Sequence, residues 1–338
     1  MAGRLAMIPP RSALIELHSL RNSALSDGLA NNASSDQSTR NAVWIHRLAL
    51  GTAFLSLLPI VMGSLVTTLG AGMAFLDWPT SDGQNMLTYP WLESHGDQFI
   101  EHGHRLAGML IGFCGIGLVV AAWKLKTSTA IKRGVVIALL GIIIQGLIGG
   151  ARVLLDQHVI AMGHSIFGCV VFVVLWEVAG LTSVKRFEAT DSSDTSGPHI
   201  ALGILWPLLC GVQYVAGAFL RHLGLLMHEH VGGAVLVTLG GIAIVIASRH
   251  SCRNIKRRSY WVAGMLALQV LFGLAVFAMK YGFAPIGLVA TQRSLGQIVF
   301  RSLHTVGGMC VIAAGVAWSR AVISAALQRA QQKLAMSR

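Results

Sequence analysis

The segments Glu101–Gly108 (EHGHRLAG) and Met227–Ala234 (MHEHVGGA) decide the fold, because each begins a long apolar run. Aligning the two segments places His104 over His230. Two copies of one pattern in corresponding apolar runs indicate an internal duplication, and duplicated membrane folds build sites at equivalent positions of their two halves. The sequence therefore predicts two related halves.

The correspondence continues downstream of these segments. Gln145–Gly149 aligns with Gln269–Gly273, and both stretches begin with glutamine and end with glycine. The motif GHSIFG around His164 then aligns with LHTVGG around His304. The second half has about 16 additional residues between its glutamine and its histidine. We expect these residues to form an outer loop near 281–297.

The composition excludes a soluble globular enzyme. Of 338 residues, 54% are hydrophobic and only 12% are charged, whereas soluble domains have about 25% charged residues. A membrane-spanning helix needs about 20 apolar residues, and eight runs of that length are present. These predicted spans are 48–70, 100–123, 133–152, 159–182, 200–220, 225–248, 259–280 and 299–319. The sequence predicts an all-α polytopic membrane protein.

The formal net charge of +12 predicts the orientation of the spans in the membrane. Twenty lysines and arginines fall in the two termini and the loops on their side, and six fall on the other side. Because basic residues concentrate in cytoplasmic loops, we expect both termini to be cytoplasmic and the protein to lie in the cytoplasmic membrane, surrounded by lipid. The charge does not indicate a nucleic-acid partner.

These spans predict two four-helix bundles related by a pseudo-twofold axis along the membrane normal. The expected organisation is a mobile cytoplasmic tail at 1–44, an N-terminal half at 45–183, a cytoplasmic linker at 184–198, a C-terminal half at 199–320 and a cytoplasmic helical tail at 321–338.

Four histidines are the strongest functional signal. His104, His164, His230 and His304 each lie about one and a half turns into an even-numbered span, and polar residues within spans are usually functional. Zinc favours three or four converging ligands, often including cysteine or carboxylate, whereas here each half supplies two imidazoles on separate helices. Two opposed imidazoles suit a six-coordinate haem iron, so we expect one haem site in each half.

The two predicted sites differ in their nearest polar neighbour. Glu101 lies three residues before His104, on the same helical face, and its counterpart in the second half is Met227. This asymmetry predicts one working site and one supporting site. By the same helical geometry, His102 and His228 point away from the paired histidines.

Arginines and one long loop surround the predicted sites. Arg105, Arg152 and Arg221 lie toward the outer ends of the spans, where they are candidates to pair with the propionate carboxylates of haem. The loop at 71–99 carries Trp78 and other aromatic residues. It fits either an interfacial aromatic belt or a lid over the first haem.

Several motifs resemble one known family. They are EHGHR at 101–105, GSLVTTLGAGMAFLDWP at 63–79, QGLIGGARVLLD at 145–156 and HSIFG at 164–168. Over about 45–320 the chain resembles the haem A synthase family (Cox15/CtaA), as a divergent bacterial-type member. It departs from many bacterial members because the loop at 71–99 contains no cysteine pair.

The resemblance implies an oxidoreductase that converts the C8 methyl group of haem O to a formyl group, giving haem A for cytochrome oxidase. It implies Glu101 as the catalytic carboxylate, His104 and His164 as ligands of the substrate haem, and His230 and His304 as ligands of a resident haem b iron. Haem O synthase, cytochrome oxidase assembly factors and a second copy of the chain are the partners that we would test.

Two other functions fit part of the pattern. A di-haem b-type cytochrome that carries electrons between quinol and a partner would use all four histidines, but it gives no reason for Glu101 in one half only. A transporter would place its site near the membrane midplane between broken helices, and these histidines lie away from the midplane. The sequence does not identify the electron acceptor or the source of the inserted oxygen.

Overall fold

The computed structural model describes residues 37–183, 197–287, 289–291 and 293–337. Within these ranges eight helices are long and apolar enough to cross a membrane, which confirms the all-α polytopic fold. They are α1 Gln37–Leu69, α2 Gly96–Lys124, α3 Thr129–Leu155, α4 His158–Thr182, α5 Gly197–Leu223, α6 Met227–Ser248, α7 Arg253–Tyr281 and α8 Leu295–Met336.

Two helices are longer than the predicted spans, and two predicted segments lie partly or wholly outside the described residues. Helix α1 begins at Gln37, so the last eight residues of the segment assigned to the N-terminal tail are helical. Helix α8 continues to Met336, through most of the segment assigned to the C-terminal tail. The expectations for 1–36 and for 184–196 concern residues outside the described ranges.

Helix α1 is interrupted at Ser56 and resumes as Leu57–Leu69. Pro59 lies in the first turn of this second segment and has no N–H to donate to the carbonyl group of Leu55, four residues earlier. The Ser56 hydroxyl donates instead to the backbone oxygen of Ala53 at 2.7 Å. Just after the interruption, Pro59 lines the interior of the first half, where its backbone contributes to the site described below.

Each half has its own apolar core, and the halves meet through four helices. Ile45, Leu118 and Leu175 are buried together in the first half. Among the described helices, the main contacts between the halves are those of α1 with α8, α4 with α5, and α4 with α8. This set of pairs is unchanged when α1 is exchanged with α5 and α4 with α8, which is the pattern expected of a twofold relation. The axis itself and the orientation of the termini stay predictions.

The loops distinguish the halves. In the first half the long connection is 70–95, between α1 and α2, whereas α3 and α4 are joined by 156–157 only. In the second half α5 and α6 are joined by 224–226, and the long connection is 282–294, between α7 and α8. The additional residues of the second repeat therefore lie in an interhelical loop, as the sequence predicted.

Candidate functional site

The structure brings the four predicted histidines together in two pairs. The ring centres of His104 and His164 are 6.1 Å apart, with their planes at 86°. The ring centres of His230 and His304 are also 6.1 Å apart, with their planes at 85°. The same geometry therefore occurs once in each half.

This spacing fits one metal ion between two imidazoles. Histidine nitrogens bind metals at about 2 Å, so two rings on opposite sides of one ion have centres about 6 Å apart. Among the residues that the structure describes, no group of three or more histidine, cysteine or carboxylate side chains is arranged to hold a metal. The paired imidazoles thus fit the two axial positions of a haem iron.

A glycine on the preceding helix makes room for each histidine ring. A Cβ atom at any of these four glycines would lie within about 3 Å of a histidine Cε1, and so close an approach would displace the ring. The pairs, with that distance, are Gly63 with His104 (2.8 Å), Gly149 with His164 (2.9 Å), Gly217 with His230 (2.9 Å) and Gly273 with His304 (3.0 Å).

The backbone four residues before the glycine orients the ring. His104 Nδ1 lies 2.9 Å from the carbonyl oxygen of Pro59, and His304 Nδ1 lies 3.2 Å from that of Gln269. Metal-binding histidines commonly donate their second ring nitrogen to a backbone carbonyl, which leaves Nε2 available for the metal. In each half one histidine ring is thus held by a backbone carbonyl, His104 in the first half and His304 in the second.

Glutamine occupies this position in three of the four helices. Gln145 Nε2 donates to the backbone oxygen of His164 at 3.0 Å, and Gln213 Nε2 donates to that of His230 at 2.6 Å. The repeat alignment had identified Gln145 but missed Gln213. The detectable signal was the spacing Gln-x-x-x-Gly, which Gln213 and Gly217 share with the other glutamine–glycine pairs.

A cavity of about 730 Å³ lies beside the first histidine pair. Its walls include His104, His164 and the predicted catalytic residue Glu101. Arg152 from α3 and Arg221 from α5 also line it. The volume is within the range of about 300–1,000 Å³ that is usual for small-molecule and cofactor sites.

The Glu101 carboxylate joins the cavity wall to the long loop. The side chain is buried, and its Oε1 lies 2.7 Å from Nη2 of Arg105. Its Oε2 accepts hydrogen bonds from the backbone N–H groups of Ala74, at 2.7 Å, and Phe75, at 3.4 Å. Glu101 is therefore held in one position from both sides.

Two neighbours of Glu101 on α2 also hold the loop. Arg105 Nη1 donates to the backbone oxygens of Asp77, at 2.9 Å, and Thr80, at 2.7 Å. His102 is fully buried, and its Nδ1 lies 3.0 Å from Ser81 Oγ. His102 thus faces the loop, whereas Arg105, a predicted propionate contact, is engaged by Glu101 and the loop backbone.

The loop covers the first cavity. Trp78 lines the cavity and packs against the backbone of Gly150 in α3 so closely that a Cβ atom at Gly150 would overlap the indole. Arg152 donates to the carbonyl oxygen of Gly72. These contacts agree with a lid, one of the two arrangements that the sequence allowed for this loop.

The second pair has different surroundings. Met227, the counterpart of Glu101, accepts a hydrogen bond from the Tyr281 hydroxyl at 3.4 Å. His228 and Glu229 are exposed at the start of α6. The carboxylate and the arginine that hold the first loop thus have no equivalent at Met227 and Val231 in the second repeat.

Comparisons with known proteins agree with this architecture. The model of the COX15-CtaA family, described as cytochrome oxidase assembly protein, matches residues 46–231, more than half of the chain. A haem A synthase of Symbiobacterium thermophilum is 26% identical over 273 residues, which cover 70% of this chain and 86% of that protein. A haem A synthase of Shouchella clausii is 31% identical over 186 residues, 53% of this chain and 59% of that protein.

A second kind of relative also matches. A protoheme IX farnesyltransferase of Halobacterium salinarum is 26% identical over 285 residues, which cover 72% of this chain and 62% of that protein. The chain thus spans about three fifths of the length of the curated farnesyltransferase that it matches.

Proposed function

Because the chain belongs to the COX15-CtaA family of cytochrome oxidase assembly proteins, we propose that it is a haem A synthase of the cytoplasmic membrane. Its reaction would be oxidation of the C8 methyl group of haem O to a formyl group, giving haem A for cytochrome oxidase. The observation that carries this proposal is the histidine pair beside a covered cavity whose wall includes one fixed carboxylate, Glu101.

In this proposal the substrate haem O lies between His104 and His164. Arg152, which lines the same cavity, would pair with a propionate carboxylate, since arginine binds carboxylates well. Arg221 also lines the cavity, but its guanidinium donates to Ser64, Thr68 and Thr305. Arg105 instead bonds Glu101 and the loop backbone, so we assign it mainly to holding these groups in place. His230 and His304 would hold a resident haem b, which supplies a site for electron transfer.

Glu101 is the residue that we assign to the chemistry. Each round of methyl oxidation removes two electrons and two protons, and water supplies the oxygen in this scheme. The two electrons would leave through the haem b held by the second half to an external oxidant. The Glu101 carboxylate, fixed by Arg105 and the backbone of Ala74, is positioned to accept a proton or to stabilise positive charge at the cavity wall. The first round gives an alcohol, and the second gives a geminal diol that loses water to form the aldehyde.

Substitution of Glu101 by glutamine tests this assignment. Glutamine keeps an oxygen that can accept from Ala74 but removes the charge, and a catalytic carboxylate contributes about 10²–10⁴ in rate. Cells that supply haem O and express Glu101→Gln should therefore accumulate haem O, contain almost no haem A and retain haem b. The haems are extracted from the purified protein and identified by mass.

The matched control is Glu229→Gln, which removes an exposed carboxylate beside His230 in the second repeat and should leave haem A at the wild-type level. Glu101→Asp should recover part of the activity. Haem A at wild-type levels in Glu101→Gln would exclude the catalytic role of Glu101, whereas failure of the wild-type chain itself to form haem A would favour an electron carrier.

The likeness to a protoheme IX farnesyltransferase gives a second candidate, transfer of an isoprenoid group to protohaem IX. Membranes containing this chain would be supplied with protohaem IX and farnesyl diphosphate. The molecular mass of the extracted haem would then be measured by mass spectrometry. A farnesylated product that depends on this chain would support the second candidate. Oxidation of supplied haem O, without farnesylation of protohaem, is the result expected here.

Haem transfer partners follow from the same reaction. A haem O synthase would deliver the substrate, and a cytochrome oxidase assembly factor would receive the product. Copurification of haem A synthase activity with either protein, or with a second copy of this chain, would test these contacts.

A further inference from the structure

Arg221 connects helices from both halves of the protein. Its Nη2 donates to the backbone oxygen of Ser64 at 2.9 Å, to the Ser64 hydroxyl at 3.1 Å and to the Thr68 hydroxyl at 2.8 Å, all in α1. Its Nη1 donates to the Thr305 hydroxyl in α8 at 2.6 Å. One guanidinium group on α5 therefore holds α1 and α8 at a fixed separation.

Both helices are bonded immediately next to a histidine site. Ser64 follows Gly63, whose missing Cβ leaves space for the His104 ring. Thr305 follows His304. The hydrogen bonds of Arg221 thus end at Ser64, the residue after the glycine that contacts the His104 ring, and at Thr305, the residue after His304. Arg221 itself is not one of the proposed ligands.

The charge of Arg221 is not neutralised by these contacts. Every acceptor recorded for it in the described part of the chain is a hydroxyl or backbone oxygen, and arginine keeps its charge in proteins. Arg221 lies four residues after Gly217. In the first half the residue four positions after the corresponding Gly63 is Thr67, which is uncharged. Arg221 therefore adds one positive charge between the halves.

We propose that Arg221 is a positioning residue that couples the two histidine sites, by fixing α1 against α8 and by supplying one positive charge that acts on both. The proposal rests on the proposed function in taking each histidine pair to hold a haem iron. A nearby positive charge favours the reduced, less positive form of iron, and hydrogen bonds and net charge set the reduction potential of haem sites.

The test uses the purified full-length protein with both haems bound. A potentiometric titration of the low-spin optical bands gives the two midpoint potentials, and His104→Ala and His304→Ala assign each band to one half. Arg221→Gln should lower both midpoint potentials. Arg221→Lys keeps the charge and should restore both potentials toward the wild-type values.

Arg152→Gln is the matched control. Arg152 lines the same cavity and bonds to the loop at Gly72, so its loss should lower the midpoint potential of the first site only. Coupling by Arg221 is overturned if Arg221→Gln leaves either potential at its wild-type value. It is also overturned if lysine and glutamine give the same two shifts, because the charge would then have no effect.

Two isosteric variants keep the test decisive if Arg221→Gln does not fold. Thr68→Val removes one acceptor in α1, and Thr305→Val removes the acceptor in α8, while Arg221 remains. We expect Thr68→Val to change the electron paramagnetic resonance signal of the first haem and Thr305→Val that of the second. Unchanged signals in both variants would overturn the coupling and leave the proposed function intact, whereas a protein that binds no haem would overturn both.

Discussion

The N-terminal and C-terminal halves hold their histidines alike and cover them differently. Both ring pairs have the same separation of 6.1 Å, and in both halves each ring lies against a glycine. The first half adds Glu101, Arg105 and a loop fastened over the cavity, whereas Met227 and Val231 occupy the equivalent positions in the second. The geometry of the histidine pair is thus the same in both halves, whereas the polar groups around it are present in the first half only.

The largest expected effect comes from removing one histidine in each half. His304→Ala should abolish haem b binding and destabilise the second half, because it removes one of the two histidines that we propose to hold this haem and opens a cavity. His104→Ala should remove the substrate haem and leave haem b at its wild-type content. Haem is quantified by pyridine haemochrome and mass. Equal loss of both haems from both variants would contradict the division of roles.

Glycine substitutions test the same comparison while the histidines stay unchanged. Gly149→Ala should displace the His164 ring and weaken binding of the substrate haem. Gly273→Ala should displace the His304 ring and weaken binding of haem b. Overpacking of this kind costs about 1–3 kcal/mol. Haem content and the thermal midpoint in detergent measure the two effects.

Helix α7 supplies the control for the glycine variants. A Cβ atom at Gly264 in α7 would contact nothing within 4 Å. Alanine at this position should therefore keep the haem and, by its helix propensity, stabilise the protein by about 0.5–1 kcal/mol. If Gly264→Ala lost as much haem as Gly273→Ala, close contact with the ring would not be the cause.

His102 and its repeat counterpart His228 test the loop that covers the first site. His102 is fully buried against Ser81 and Tyr89, so His102→Ala should loosen the loop at a cost of about 1–3 kcal/mol from the unpaired partner and lost packing. Faster proteolysis between residues 70 and 95 would report the loosening. His228 is exposed, and His228→Ala should leave the cleavage rate unchanged. Equal rates in the two variants would mean that His102 does not hold the loop.

The smallest effect is expected from acid acting on Asp77, in the same loop. Its slight burial raises the pKa, but hydrogen bonds from Thr80, Gly83 and Asp82 hold the pKa of Asp77 below its ordinary value of 3.8. A lowered pKa in the folded state stabilises the loop above pH 3.8, and this contribution is lost as the pH falls below that value.

Loop proteolysis by an acid-active protease should therefore accelerate below about pH 4 in the wild type. Asp77→Asn should be cleaved at a rate that changes less over the same pH range. An identical pH dependence in wild type and Asp77→Asn would assign the effect to other groups.

The sequence by itself determined the helical architecture and which four histidines are the candidate site residues. Span length, low charge and the aligned motifs around His104 and His230 depend on hydrophobicity and periodicity, which are local properties of the chain. The same alignment marked Glu101 against Met227 as the difference between the halves. The spacing Gln-x-x-x-Gly was also present in the sequence, but only its contacts revealed that Gln213 belongs to it.

The tertiary structure alone decided what these residues touch. That Glu101 is fixed by Arg105 and by the backbone of Ala74, and that Arg221 joins Ser64 to Thr305, depends on side chains separated by up to 157 positions along the chain. Hydropathy and helical period fix which face of a helix a residue lies on, whereas the partner on another helix is set by how the helices pack and how a long loop folds over them. Contacts between distant segments therefore had to be observed.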